Sequence, residues 1–190
     1  MANEEARWVA QASEGDAAAF RRLVDSHASA LFRVCARITN DKALAEDAVQ
    51  EAFFNAYRHL RDFDGRAAFS TWLHRIAVNA ALEQVRKRSG RGETELPEGE
   101  EADDLLATSV EAIPGPDRRA QSAEIRRDIE TELARMSTIE RTAFVLRHHE
   151  GQSLEEISAV LSLSVNASKQ AIFRAVRKLR VALEPPGGLS

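Results

Sequence analysis

The stretch from Arg91 to Gln121, "RGETELPEGEEADDLLATSVEAIPGPDRRAQ", constrains this chain more than any other. Acidic, rich in glycine and proline, and poor in periodic apolar residues, it repels itself and has no apolar face with which to bury a core. The charge count marks its limits. Residues 1–90 carry 13 Lys and Arg against 12 Asp and Glu, residues 91–123 carry 3 against 9, and residues 124–190 carry 10 against 9. The net charge of -4 is therefore a property of the middle alone. A linker there leaves two small domains, 1–90 and 124–184, followed by a tail, 185–190. With 44% hydrophobic residues, each has material for its own core.

Both domains read as all-α, because no alternation of period two rises above the helical pattern. In the first, helices are expected from Glu4 to about Ser13, from about Asp16 to Thr39, from Asp41 to Leu60 and from about Thr71 to Arg88. Asn40 or Asp41, and Ser70 or Thr71, are the candidate caps, since their side chains accept the unpaired N–H groups of a first turn. In the second domain "IRRDIETELARM" gives a helix ending near Met136. Ser137 with Glu140, and Ser153 with Glu156, then form two capping boxes, and Gly151 supplies the stop between them. The result is a helix from Thr138 to His149, a short one from Leu154 to Leu161, an "SLS" turn and a long one from Val165 to about Leu183. A short helix, a tight turn and a long basic helix make a helix-turn-helix.

Several function classes are excluded at this level. No run of about 18 apolar residues exists to span a bilayer, and "MANEEARWVAQ" has no apolar signal core, so a cytoplasmic protein is expected. The single cysteine, Cys35, lies in the apolar-patterned "ALFRVCARI" and reads as a buried core thiol. Of the five histidines, His148 and His149 are adjacent and diverge on a helix, so they do not share a metal. No glycine-rich phosphate loop follows a strand. Glu46, Asp47 and Glu51 form a solvated helix face. No enzyme, metal or cofactor is implied.

Three surfaces remain to be explained. In "AEDAVQEAFFNAYRHL" the apolar face of the helix holds Ala48, Val49, Ala52, Phe53 and Ala56, yet Phe54 projects from the opposite side, amid Asp47, Gln50, Glu51 and Arg58. In the helix from Thr71, Leu73, Ile76, Ala77 and Ala80 face one way and Val78, Ala81, Leu82 and Val85 the other, so it is packed on two sides. Trp72, Arg75, Asn79 and Arg86 fall between, and "FDGRAAF" upstream adds Phe63, Arg66 and Phe69. Aromatic rings beside cations and an amide suit unstacked bases, which need a π-face, a hydrogen-bond partner and phosphate neutralisation. On the last helix Val165, Ile172, Val176, Leu179 and Leu183 project inward, while Asn166, Gln170, Phe173, Arg174 and Arg177 project outward, with Lys169 near them. Amide and guanidinium groups on such a helix read base edges in the major groove, while cations hold phosphates.

Taken together, these residues resemble the sigma-70 family of bacterial transcription initiation factors, in its small two-domain extracytoplasmic-function group. "AEDAVQEAFFNAYRHLRDFDGRAAFSTWLHRIAVNAALEQVRKR" is similar to the family's second conserved region and "LARMSTIERTAFVLRHHEGQSLEEISAVLSLSVNASKQAIFRAVRKLR" to its fourth. The resemblance implies core RNA polymerase as partner, through its β′ clamp coiled coil and its β flap. Phe54, with Asp47, Gln50 and Glu51, would be the anchor on the coiled coil. Phe63, Arg66, Phe69, Trp72, Arg75, Asn79 and Arg86 would melt and read the minus-10 element. Asn166, Lys169, Gln170, Phe173, Arg174 and Arg177 would read the minus-35 element. The acidic linker would thread the polymerase cleft, and an anti-sigma factor is implied as a further partner. Catalysis would belong to the polymerase.

The chain departs from the family pattern where the last helix begins. Many relatives show "GTVKSR" there, whereas this chain has Asn166, Ala167, Ser168, Lys169, Gln170 and Ala171. Serines stand at Ser158, Ser162 and Ser168, where helix-turn-helix units place alanine, glycine and an aliphatic residue. The alternative reading is a stand-alone helix-turn-helix regulator controlled by a ligand or partner protein, which leaves Phe54 and the base-stacking face unexplained.

Overall fold

The protein is described here from a computed structural model, which covers residues 2–89 and 117–183. The described residues form eight α-helices and one 3₁₀ turn, and no strand occurs among them. The chain divides into two units, with the boundary after Glu93. Most of the acidic segment, including the part expected to thread a partner's cleft, lies outside the described residues, as does the tail.

The first unit contains α1 (Ala2–Ser13), α2 (Ala17–Thr39), α3 (Lys42–His59) and α4 (Phe69–Ser89), with the 3₁₀ turn Leu60–Asp62 after α3. Helices α2, α3 and α4 pack on one another, and α1 lies on α2. Asp16 caps α2, its carboxylate accepting from the Ala18 and Ala19 N–H groups. Asp41 does the same for α3 through Ala43 and Leu44, and it also takes the Arg88 guanidinium from the end of α4. The Leu44 N–H and then the Arg88 side chain hold the Asp41 carboxyl below its ordinary range. One aspartate thus fixes where α3 starts and ties that start to the last turn of α4. Between α2 and α3, Asn40 takes the left-handed conformation (φ 51°) that ends a helix and that asparagine tolerates better than most residues.

Helix α4 begins at Phe69, earlier than expected, so Ser70 and Thr71 lie inside its first turn and do not cap it. Its two-sided packing is as the sequence indicates: Leu73, Ala77, Val78, Ala80, Ala81 and Leu82 are all buried, against α3 and α2. Cys35 is buried as expected. Its S–H points at the Ala77 carbonyl, 3.6 Å away, and burial pushes the thiol pKa up to about 12, so it is an inert core group.

The second unit contains α5 (Asp117–Arg135), α6 (Thr138–His148), α7 (Leu154–Leu161) and α8 (Val165–Leu183). Helix α5 thus begins inside the segment that composition assigns to the linker. Both capping boxes form, each with reciprocal bonds between serine and glutamate. Helices α5, α6 and α7 all pack on α8. Leu133 and Met136 meet Ala175 and Leu179 at one end of this core.

The serines that depart from the family pattern sit in three different environments. Ser162 ends α7 in the left-handed conformation (φ 57°), a position glycine would occupy without strain. Ser158 is buried and donates its hydroxyl to the Leu154 carbonyl at 2.6 Å, so α7 itself satisfies it. Ser168 is wholly buried and, unlike Ser158, its hydroxyl finds no hydrogen-bond partner among the described residues.

Candidate functional site

Phe54 stands on the surface of α3 with 60% of its area exposed, the second most exposed large apolar side chain among the described residues. Asp47 and Gln50 are exposed beside it. Glu51 is half-buried and accepts from the Gln84 side chain of α4 at 2.9 Å, which stiffens one edge of the patch. The Arg58 guanidinium lies 5.5 Å from the centre of the Phe54 ring, so a cation holds the ring against the helix. Tyr57 is 47% exposed and packs edge-on against Phe20 of α2, with ring centres 4.9 Å apart. Tyr57 is the member that sequence reasoning missed. Its spacing of three from Phe54 on one helix was the available signal.

A second surface is built where the loop after α3 runs into α4. Phe63, Phe69 and Trp72 form a three-ring cluster, with centres 5.2 Å apart for Phe63 and Trp72 and 5.8 Å for Phe63 and Phe69. Phe63 and Trp72 are half-buried and keep part of each ring open, whereas Phe69 is only 5% exposed. Phe69 therefore supports the other two rings and offers no face of its own, a correction to the expectation that it meets bases directly. The His27 ring backs it edge-on at 5.6 Å. Arg75, Asn79 and Arg86 are exposed along α4. Arg66 is also exposed, paired with Asp64 at 2.9 Å in a turn whose Gly65 has φ 71°.

The third surface is α8. Ser164 caps it, its hydroxyl accepting from the Ala167 N–H at 3.1 Å. Asn166 and Arg177 are exposed, while Lys169, Gln170 and Phe173 are half-buried. Arg174 departs from expectation. It donates Nε to the carboxylate of Glu140, a buried residue of α6, at 3.2 Å, and its side chain is only 23% exposed. Lys178 reaches the other oxygen of the same carboxylate at 2.7 Å. Burial alone would raise the Glu140 pKa, but Lys178 and the Ser137 cap outweigh it and hold the carboxyl below its ordinary range. Arg174 and Lys178 thus join α8 to α6. Val165 and Leu183, expected inward, are exposed, because the buried centre of α8 is set by Ser168, Ala171 and Ala175 together with Ile172 and Leu179. Small residues rotate that centre away from the direction given by the large ones.

Among the described residues there is no group of three or more His, Cys, Asp or Glu that could hold a metal, and no helix long and apolar enough to cross a membrane. Comparison with known proteins fits this arrangement of surfaces. The family model for sigma-70 region 2 matches residues 23–91 and that for sigma-70 region 4 matches residues 126–179. The chain is 33% identical over 178 residues to the RNA polymerase sigma-H factor of Pseudomonas aeruginosa, covering 93% of this chain and 92% of that one. It belongs to the sigma-70 family. The ECF RNA polymerase sigma factor SigW of Bacillus subtilis, 31% identical over 92% of this chain and 94% of its own, places it in the extracytoplasmic-function group. The fold is also similar to that of CnrH, solved in complex with the cytosolic domain of CnrY: 28% identity, a TM-score of 0.57, and coverage of 95% of this chain and 97% of that one.

In this sigma factor the Phe54 patch and the aromatic loop both fall in the region 2 match, and α8 as far as Leu179 falls in the region 4 match. Helix α1 precedes both. The sequence-identified residues are therefore gathered into three separate surfaces, two on the first unit and one on the second.

Proposed function

We propose that this sigma factor binds core RNA polymerase in the cytoplasm through α3 and directs it to promoters by reading two DNA elements with two different surfaces. The observation that carries the reading is Phe54, an exposed aromatic ring pinned by Arg58 and bordered by acids and amides, on a unit whose aromatic loop and α4 provide a separate face for single-stranded DNA. An aromatic anchor ringed by polar groups has the make-up of a protein interface hot spot. The polymerase β′ clamp coiled coil would meet this patch, the β flap would meet the second unit, and the polymerase would do the chemistry. The test is transcription with purified core enzyme on genomic fragments. A chain that bound DNA alone, with no affinity for core polymerase, would be the stand-alone regulator instead.

On the first unit, Phe63 and Trp72 would stack on unstacked bases of the minus-10 element, Asn79 would read a base edge, and Arg66, Arg75 and Arg86 would neutralise phosphates. Stacking contributes about 1 to 3 kcal/mol per base. Trp72→Ala therefore lowers promoter opening on duplex templates, and a pre-melted template restores opening without restoring the lost base contact. Open-complex yields on the two templates check this, and equal yields from wild type and variant on the duplex would remove Trp72 from the site.

On the second unit, Asn166, Gln170 and Arg177 would face base edges of the minus-35 element with Phe173 beside them, and Lys169 would hold phosphate. Arg174 stays with Glu140 and acts by seating the helix. A base contact gives about 1 to 3 kcal/mol of discrimination at one position, whereas a phosphate contact weakens all sequences alike and lowers the salt slope by about one. Promoter libraries transcribed with Gln170→Ala should show relaxed preference confined to the minus-35 element, and with Lys169→Ala an even loss of output. An even loss for both would end this division of labour. An anti-sigma factor would compete for these same surfaces.

A further inference from the structure

Helix α2 buries a row of apolar residues spaced by four, Ala19, Leu23, Leu31 and Cys35, which line up along one side of a helix of 3.6 residues per turn. His27 stands in the middle of that row, with only 13% of its side chain exposed. An imidazole there loses hydration that a leucine never had, and the loss must be offset by a hydrogen bond. The bond comes from α1: Nε2 of His27 lies 2.6 Å from Oε1 of Glu5, and since an ionised carboxylate only accepts, Nε2 carries the proton and donates it. The same ring meets Phe69 edge-on, with centres 5.6 Å apart and planes at 63°. Phe69 in turn touches Trp72 at 5.7 Å and Phe63 at 5.8 Å. A continuous path of contacts thus runs from Glu5 through His27 and Phe69 to the two rings whose faces stay open.

We propose that His27 is a positioning residue for promoter opening: clamped by Glu5, its ring sets Phe69, and Phe69 sets the angle at which Phe63 and Trp72 are presented. The inference rests on the minus-10 reading of those rings given above. His27 itself touches no DNA in this arrangement. Its effect is transmitted through Phe69, which is buried and has no other task on this face. A leucine at position 27 would complete the apolar row and cover Phe69 equally well. It would have no bond to α1 and no ring edge to direct at Phe69, so the platform would be covered without being oriented. Rings that must meet a ligand at a fixed angle need supports whose own rotamers are locked by packing and hydrogen bonds.

The test compares His27→Leu, Glu5→Ala and Trp72→Ala in the full-length protein with core polymerase on duplex promoters. His27→Leu keeps or raises the melting temperature, because a polar group leaves the buried row, and keeps wild-type affinity for core enzyme. It nevertheless lowers open-complex yield by about fivefold, within what one stacked base contributes. A merely structural role would move yield and melting temperature together. Glu5→Ala lowers the yield in the same direction. In a Trp72→Ala background His27→Leu costs less than in the wild type, because one of the two rings it acts through is gone. Wild-type yield from His27→Leu, or losses from His27→Leu and Trp72→Ala that simply add, would overturn the positioning role while the minus-10 reading stands. Should His27→Leu lower the melting temperature, Glu5→Ala decides, and wild-type yield from that variant overturns the role. If Trp72→Ala itself keeps wild-type yield, the minus-10 reading of these rings fails and the role of His27 with it.

Discussion

Phe54→Ala weakens binding of core RNA polymerase by about 30-fold or more, the loss of about 2 kcal/mol that truncating an interface hot spot brings, and leaves the melting temperature unchanged. The ring's exposure makes the second half of that statement: 60% of Phe54 already faces water, and its main contact is the Arg58 guanidinium on the same helix. Removing it opens no cavity in the core formed by Ala52, Phe53 and Ala56. Titration of labelled protein with core enzyme, alongside thermal unfolding of the free protein, separates the two effects. Wild-type affinity would exclude Phe54 from the interface. Tyr57→Ala serves as a second probe, because Tyr57 extends the same patch toward Phe20 of α2.

Glu140→Ala destabilises the second unit by about 3 kcal/mol, at the lower end of what removal of one partner from a buried ion pair costs. Glu140 has two roles that fail together. Its carboxylate closes the capping box of α6 with Ser137, and it receives both Arg174 and Lys178 from α8. Lys178 can turn to water, since nearly half its side chain is exposed, but Arg174 is left with its guanidinium largely covered and unpaired. That asymmetry sets the estimate at the lower end of the range. Both tryptophans, Trp8 and Trp72, lie in the first unit. Denaturant unfolding of the variant therefore shows an early transition by far-ultraviolet circular dichroism, which reports all the helices, and an unchanged one by tryptophan fluorescence. Coincident, wild-type transitions by both probes would mean that Glu140 contributes nothing net.

The pH dependence follows from the same contacts. The carboxyl of Glu140 is held below its ordinary value of 4.5 in the folded protein, so the unfolded chain binds its proton first as the solution is acidified. Its stabilisation is complete above pH 4.5 and is lost as pH falls through the folded value. The stability gap between wild type and Glu140→Gln accordingly narrows in acid and is constant at neutral pH. A gap that stayed constant down to strongly acid pH would place the ion pair outside the folding balance.

Much of this molecule is legible along the chain because its signals are local. The two capping boxes, the aspartate and asparagine between α2 and α3, and the left-handed turn between α7 and α8 act over three or four residues, the range over which a sequence specifies backbone hydrogen bonds. The wrong-facing Phe54 and the doubly packed α4 are legible for the same reason, since helical projection needs only residue spacing. The start of α4 was misplaced because Ser70 and Thr71 have the chemistry of caps, whereas Phe69 is drawn into the helix by packing with Phe63, Trp72 and His27. Projection put Arg174 outward because it weighs a helix by its own residues, while the Arg174 side chain is engaged by a carboxylate 34 residues earlier on α6. The seating of α1 has no local signature at all, because it rests on His27 and Arg61, which meet Glu5 and the Ser13 carbonyl across 22 and 48 residues of chain. Backbone hydrogen bonds and amphipathic faces are properties of neighbours in sequence. The orientation of a face, and the seating of one helix on a distant segment, depend on which distant side chains fill the space and neutralise the charge.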